Sequence, residues 1–166
     1  MISLTAVSSD PTDLRRAYGC FPTGVTAVCA LADNVPVGMA ASAFTAVSIG
    51  PPLVSVCVQL GSTTWPRLRE LPRLGVSVLA EGQVAACRAL AMKQGDRFAE
   101  LAWQTNQDGA LFVEGAAAWL ECSLDTEVVA GDHVIALLRI LGFGSNSEKS
   151  PLVFHESRFR QLATAV

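Results

Sequence analysis

Residues 37–48 read Val37-Gly38-Met39-Ala40-Ala41-Ser42-Ala43-Phe44-Thr45-Ala46-Val47-Ser48 and continue into Pro51-Pro52-Leu53. The segment is apolar enough for a core, but most of its side chains are too small to fill one, whereas buried strands ordinarily carry Val, Ile and Phe. Small side chains leave space and expose backbone amides, which suits a flat ligand lying along a strand edge. A close crossing of strands inside a barrel explains the same residues equally well, and the segment alone leaves both explanations open.

The composition indicates a globular chain with a sizeable core and few charges. Of the 166 residues, 51% are hydrophobic and 16% are charged, and the net charge is -3. We expect a single domain over residues 1–166, with part of its surface buried in an oligomer. The charge argues against nucleic acid as a partner. Because no apolar run reaches the ~20 residues that span a bilayer and no signal peptide is recognisable, we expect no membrane partner and a cytoplasmic location.

The cysteines and histidines argue against both a disulfide framework and a metal site. The five cysteines are odd in number, widely spaced and without a C-x-x-C pair. We expect reduced thiols that serve as small hydrophobic side chains. The two histidines, His133 and His155, lack the clustering of metal ligands, so we expect no bound metal.

The order of the predicted elements favours an antiparallel barrel. A helix begins at Pro11 with Asp10 as its cap and ends at Gly19, and shorter helices are predicted over 64–71 and 83–92. The predicted strands are 25–31, 35–39, 53–58, 74–79, 116–122, 133–140 and 152–154. Since helices do not alternate regularly with these strands, a mainly β barrel is favoured over a doubly wound parallel sheet.

One corner of the chain has the residues that bind a phosphate, although the usual nucleotide signatures are absent. The sequence contains no G-x-G-x-x-G, no G-x-x-x-x-G-K-[ST] and no G-x-S-x-G element. Gly61-Ser62-Thr63-Thr64 follows a predicted buried strand and precedes a helix, where hydroxyls and unpaired N–H groups suit an anion. An ordinary helix cap explains these residues as well. The phosphate interpretation gains support because the small-residue segment lies one strand earlier.

Short motifs follow one another along about residues 12 to 162. They are Phe21-Pro22-Thr23-Gly24-Val25-Thr26, the segment from Pro36 to Phe44, Val47-Ser48-x-x-Pro51-Pro52-Leu53, Ser62-x-Thr64, Asp96-Arg97-Phe98, Ala130-Gly131-Asp132-His133 and Pro151-Leu152-Val153-Phe154-His155. No single one is specific, but together and in this order they resemble the flavin reductase-like family, the FMN-binding split barrels.

The resemblance implies a fold, an activity and partners. The fold would be a six-stranded antiparallel Greek-key split barrel with peripheral short helices, assembled as a homodimer with flavin near the subunit interface. The activity would be that of an NAD(P)H:flavin oxidoreductase, which uses NADH or NADPH to reduce FMN or FAD by hydride transfer. Members commonly supply reduced flavin by diffusion to a partner monooxygenase.

The resemblance also implies roles for thirteen residues of this sequence. The catalytic candidate is His133, which resembles the family histidine near the nicotinamide. The flavin-binding candidates are Ala40, Ala41, Ser42 and Ala43 at the edge of the isoalloxazine ring, Ser48 and Cys57 near the ring or ribityl chain, Ser62 and Thr64 at the phosphate, Arg97 and Phe98 over the flavin tail, and Phe154 and Arg158 beside the dinucleotide site.

Several of these residues have ordinary structural explanations, and the sequence departs from the family at others. His133 could merely cap a turn, Arg97 could be a solvated surface charge, and Cys57 could be a small buried side chain. Leu60 stands where many relatives carry a basic or amide residue, which removes one phosphate contact. Ser157 replaces a glycine of the C-terminal motif.

Three functions are compatible with these observations. The first is the NAD(P)H-dependent flavin reductase. The second is a split-barrel protein that holds its flavin tightly and carries out another redox chemistry. The third is a non-catalytic barrel module that has lost the site, an alternative that the missing polar residue at Leu60 supports. The sequence leaves open the choice between FMN and FAD and that between NADH and NADPH.

Overall fold

The computed structural model describes residues 1–8 and 10–163, and this part of the chain contains three helices and twelve strands. The helices are α1 (Pro11–Gly19), α2 (Trp65–Leu68) and α3 (Val84–Ala91). The strands are β1 (Thr23–Gly24), β2 (Thr26–Ala32), β3 (Val35–Ala41), β4 (Phe44–Ser48), β5 (Leu53–Gln59), β6 (Leu74–Val78), β7 (Trp103–Thr105), β8 (Leu111–Val113), β9 (Ala118–Ala130), β10 (His133–Ser145), β11 (Val153–His155) and β12 (Arg158–Arg160). Within the described residues, no helix has both the length and the hydropathy that crossing a bilayer requires.

Seven strands form one antiparallel sheet in the order β3-β2-β6-β9-β10-β5-β4. Its two outer strands, β3 and β4, are consecutive in the chain and are separated only by Ser42 and Ala43. At the bend between β3 and β4, the Cys57 N–H donates to the Ala43 carbonyl oxygen at 3.0 Å. The sheet therefore closes into a barrel, with β3 and β4 as two halves of one bent strand. The predicted mainly β, antiparallel fold is confirmed, and the predicted count of six holds when β3 and β4 are counted together.

Two smaller sheets lie outside the barrel. One has the order β1-β11-β12, and the other is the hairpin β7-β8. The hairpin packs closely on the barrel, because the Val113 N–H donates to the Ser77 hydroxyl of β6 at 3.0 Å and the Leu31 N–H donates to the Gly109 carbonyl at 2.9 Å. The two strands of this hairpin, Trp103–Thr105 and Leu111–Val113, are not among the strands predicted from the sequence.

Strand β2 is buried on both of its faces. Val28 and Ala30 belong to one hydrophobic cluster, while Ala27 and Cys29 belong to a second cluster on the opposite face, and all four are 0% exposed. Alternation of side chains along a strand sends neighbours to opposite faces. A strand covered on both sides reads as a continuous apolar run, which is why the sequence predicts this strand closely.

The helices begin and end near the predicted residues, except that α2 is shorter. Asp10 caps α1 by accepting a hydrogen bond from the Thr12 N–H at 2.9 Å, and Pro11 occupies the first helical position. Helix α3 spans Val84–Ala91, within the predicted 83–92. Helix α2 ends at Leu68 instead of continuing to residue 71.

Thiol burial gives a first prediction. Burial raises the pKa of the Cys29 and Cys122 thiols to about 12, whereas Cys20 is exposed. Since the thiolate is the nucleophile, we expect iodoacetamide at about pH 8, near the ordinary thiol pKa, to label Cys20 in the folded protein. Cys29 and Cys122 should be labelled only after denaturation. Peptide mass spectrometry before and after urea checks this, and equal labelling rates for Cys20 and Cys29 in the folded protein would contradict it.

Candidate functional site

A cavity of about 590 Å³ opens where β3 bends into β4. Its walls combine the small-residue segment, the corner after β5, the end of α3 and the start of β10. Nine of the thirteen predicted site residues line it: Ala40, Ala41, Ser42, Ala43, Cys57, Ser62, Thr64, Arg97 and His133. The fold thus brings together residues that are more than 90 positions apart in the chain.

Both sequence explanations for the small residues apply, but to different positions. A Cβ added at Gly38 would lie 2.4 Å from the Cys29 sulfur and 2.9 Å from Cζ of Phe98, so glycine is needed there for close packing. Ala40 to Ala43, in contrast, face the open cavity. The hollow is therefore not filled by neighbouring side chains at the positions where the flavin ring edge is predicted.

The corner after β5 is organised by the Ser62 hydroxyl. Its oxygen accepts hydrogen bonds from the N–H groups of Thr64 at 3.3 Å and Trp65 at 3.1 Å, so Ser62 caps the start of α2. Thr64 makes no side-chain cap, and its hydroxyl accepts a hydrogen bond from Arg97 instead. The helix-cap explanation is thus correct for Ser62, while the phosphate role of both hydroxyls stays a prediction.

Arg97 ties the small-residue segment to this corner. One of its terminal nitrogens donates to the Gly38 carbonyl and to the Thr64 hydroxyl, each at 2.7 Å. Within the described residues no carboxylate pairs with it. Arg97 is therefore an oriented, half-buried charge that borders the cavity, and not a freely solvated surface charge.

His133 lines the cavity from the first position of β10, where it lies opposite Gln59 of β5. Its Nδ1 is 2.7 Å from Oδ1 of Asp132. This hydrogen bond, together with the charge of the imidazole, lowers the pKa of the Asp132 carboxyl. With Nδ1 turned to the carboxylate, Nε2 is the ring nitrogen that remains for a ligand.

Four predicted residues lie away from the cavity. Ser48 ends β4 opposite Leu53. Phe98 is only 8% exposed and packs edge-on against Trp103, with ring centroids 6.5 Å apart. Phe154 lies in the sheet β1-β11-β12, and Arg158 is exposed on the same sheet. Their roles toward a ligand stay predictions.

Sequence reasoning missed the wall that α3 contributes. Leu90, Ala91, Met92 and Lys93 line the cavity from the end of this helix. Lys93 could have been predicted as a site residue from the sequence, because this cation lies three residues before Asp96-Arg97, a motif already assigned to the site. The apolar members gave none, since an amphipathic helix predicts only that one face is covered.

Comparisons with known proteins identify the family. Residues 18–163 match the family described as "Flavin reductase like domain", and the chain belongs to this family. It is 36% identical over 155 residues to a flavin reductase of Pseudomonas putida, over 93% of this chain and 91% of that protein. It is 33% identical over 157 residues to HsaB, the reductase subunit of a flavin-dependent monooxygenase of Rhodococcus jostii (strain RHA1), over 95% of this chain and 80% of that protein.

A solved structure has the same fold. The NADH:FAD oxidoreductase SgcE6 of Streptomyces globisporus C-1027, in complex with NAD and FAD fragments, superposes with a TM-score of 0.87 at 39% identity. The match covers 95% of this chain and 98% of that chain. The family resemblance seen in the sequence is confirmed.

Proposed function

We propose that this chain is an NAD(P)H-dependent flavin reductase that reduces FMN or FAD and supplies the reduced flavin to a partner monooxygenase. The observation that supports this most is that one cavity is lined by the small-residue segment, by the hydroxyl-bearing residues 62–64 of the corner after β5, and by Arg97 and His133. The named activities of the relatives support the same conclusion.

The cavity fits a flavin in shape and in chemistry. Ala40 to Ala43 leave a flat, open wall, and the Ser42 hydroxyl and backbone amides can donate to a polar ring edge. Arg97 and Lys93 place positive charge beside the hydroxyls of the corner, as a phosphate requires. A flavin held there would supply the hydride acceptor, and NADH or NADPH the hydride.

The chain's own contribution is binding and positioning. Hydride transfer requires stacked rings in a site that limits water, and it needs no protein nucleophile. Small side chains along one wall leave room for two stacked rings. We assign His133 to the nicotinamide, because it lines the cavity with Nε2 available as a hydrogen-bond partner. The few ionisable groups in the cavity agree with this chemistry.

Weak flavin binding agrees with a reductase that releases its product. Leu60 is 57% exposed beside the corner and offers no polar contact to a phosphate. The neighbouring cations supply the attraction in its place. A flavin bound in this way can leave after reduction, which a diffusing supply to a separate monooxygenase requires.

The test of the proposed function is NADH or NADPH oxidation by the purified protein. We expect loss of the nicotinamide absorbance only when FMN or FAD is present, with turnover that rises with flavin concentration. No oxidation with any pairing of the two flavins and two nicotinamides would overturn the proposal. A protein that stays yellow through gel filtration and ignores both nicotinamides would indicate the tightly held flavin alternative.

We also propose that residues 1–166 act as one domain and assemble as a homodimer. Large apolar side chains remain exposed on this single chain, including Ile49 at 95%, Phe143 at 84% and Val129 at 70%. Helix α1 has no buried residue. Such a surface is a liability unless it is covered. Sedimentation equilibrium should give twice the chain mass, and a monomer at micromolar concentration would contradict the proposal.

A further inference from the structure

A hollow on the hairpin β7-β8 is separate from the cavity at the bend between β3 and β4. Its volume is about 550 Å³, and the two share no lining residue. Residues 104–106 and 112–114 of the hairpin line most of it, and Gly115 and Trp119 complete the lining. We call it the hairpin hollow. Small-molecule sites in proteins have volumes of about 300–1,000 Å³, so this hollow has room for a ligand of its own.

Two aromatic side chains give the hairpin hollow an apolar wall. Phe112 lies opposite Gln104 in the β7-β8 pair, so both side chains are on the same face of the hairpin. The other face, which carries Leu111, packs into the second hydrophobic cluster. Phe112 and Trp119 are only half-buried, and the Trp119 indole N–H donates to the Val113 carbonyl at 2.8 Å, which orients the ring. The hollow therefore presents an oriented aromatic surface to a ligand.

Glu114 carries the one charge on the described lining of the hairpin hollow. Its Oε1 accepts a hydrogen bond from Nε2 of Gln104 at 3.2 Å, and no cation of residues 1–8 and 10–163 pairs with it. Its backbone is held from two sides, because its N–H donates to the Ala102 carbonyl at 3.0 Å and its carbonyl accepts Nε2 of Gln83 at 2.6 Å. A fixed carboxylate beside aromatic rings favours a cation, through its charge and through cation–π attraction.

We propose that the hairpin hollow binds an arylalkyl ammonium ion, with the ring against Phe112 and Trp119 and the ammonium group at Glu114. The ammonium N–H groups donate to the Glu114 carboxylate, which has one hydrogen bond from the chain and further acceptor positions free. An aromatic carboxylate of the same shape would meet Glu114 with like charge and with no cation on the described lining to offset it. The hollow therefore selects by the sign of the charge.

The proposal does not depend on the proposed function, because the hairpin hollow and the flavin cavity have no lining residue in common. A protein without flavin reductase activity could still bind the ammonium ion. A flavin reductase could equally fail to bind it. The two failures are therefore distinguishable.

Nitrogen–proton correlation NMR of the full chain tests the proposal, with phenethylamine as the probe. The sequence has three tryptophans, and the variant Trp119→Phe identifies which of the three indole N–H signals belongs to Trp119. We expect phenethylamine to shift the Trp119 signal with a Kd on the order of 1 mM and to leave the signal of the buried Trp65 in place. Hydrocinnamate has a carboxylate in place of the amine, and it should bind about tenfold more weakly or less.

The variant Glu114→Gln tests the carboxylate. We expect the Kd for phenethylamine to rise about five- to tenfold and the preference over hydrocinnamate to disappear. Glu70→Gln is the matched control, because Glu70 is exposed in the turn after α2 and lies outside the hairpin hollow. It removes the same charge from the chain and should leave the Kd unchanged. Saturating FMN should also leave the Kd unchanged.

Four results would overturn the proposal. The first is the absence of any shift of the Trp119 signal, which is also the result expected if a second copy of the chain covers the hairpin. The second is equal affinity for phenethylamine and hydrocinnamate, which would show that the hollow selects the ring alone. The third is an equal Kd in the wild type and in Glu114→Gln. The fourth is competition by FMN, which would place the amine in the flavin cavity.

Discussion

Replacing Arg97 with alanine is expected to raise the Kd for flavin by about ten- to a hundredfold. The side chain holds the Gly38 carbonyl and the Thr64 hydroxyl at 2.7 Å each, and it borders the cavity without a carboxylate partner in the described chain. The variant therefore loses both the charge that faces a phosphate and the link between the two walls. Flavin titration followed by fluorescence measures the effect.

A lysine variant separates the charge from the geometry. Arg97→Lys keeps the positive charge but lacks the planar fork that bridges two acceptors, so we expect an intermediate loss of affinity. Arg160→Ala, an exposed arginine paired with Glu156 at 3.5 Å, is the control and should bind flavin as the wild type does. Added salt should weaken wild-type binding more than that of Arg97→Ala. Wild-type affinity in a folded Arg97→Ala protein would show that this cation does not hold the flavin.

The sequence predicts the strands of the barrel well where one face or both faces of the strand are buried. Strands β2 and β5 match their predicted ranges within two residues, because their apolar side chains pack into the clusters on the barrel. Strands β9 and β10 run about eight and five residues further than the predicted 116–122 and 133–140. Their far ends are largely exposed, with Val128 at 52% and Phe143 at 84%, so the core pattern stops before the strands do.

Strand β4 shows a different limit. The sequence of the bend suggested a buried segment, but Thr45, Ala46 and Val47 are exposed on this single chain. An apolar segment at the edge of a sheet cannot be assigned to a core or to an interface from composition, because both need the same residue types. The homodimer proposal explains why an outer strand carries so few charges.

The residues of the candidate site also fall into two groups. Some are recognisable from their local sequence, and others join the site only because the fold brings distant segments together. The small-residue segment and the hydroxyl corner stand out in the sequence because their composition is unusual for strands and loops. Arg97 and His133 were predicted only through the family resemblance, since a single cation or histidine carries no local signal. The wall from α3 depends on packing between distant segments, which no local pattern specifies.

Gly75→Ala is expected to be the most destabilising of the small substitutions in this barrel, by about 3 kcal/mol or more. Gly75 lies in β6 between Cys29 of β2 and Glu121 of β9. A Cβ there would lie 2.1 Å from the carbonyl oxygen of Leu111 and 2.6 Å from its carbonyl carbon. These are backbone atoms of β8, so relief requires moving the whole hairpin β7-β8 off the barrel.

Two further glycine variants make the prediction specific to this contact. Gly38→Ala meets the side chains of Cys29 and Phe98, which can shift, so we expect a smaller loss than at Gly75. Gly24→Ala has no atom within 4 Å of the added Cβ and should be neutral or slightly stabilising. Measured by thermal unfolding, the Tm of Gly75→Ala should be lower than that of the wild type by on the order of 10 °C. The Tm of Gly38→Ala should lie between those of Gly75→Ala and Gly24→Ala. If all three variants have the same Tm, the close packing of β8 on β6 does not determine the stability of this fold.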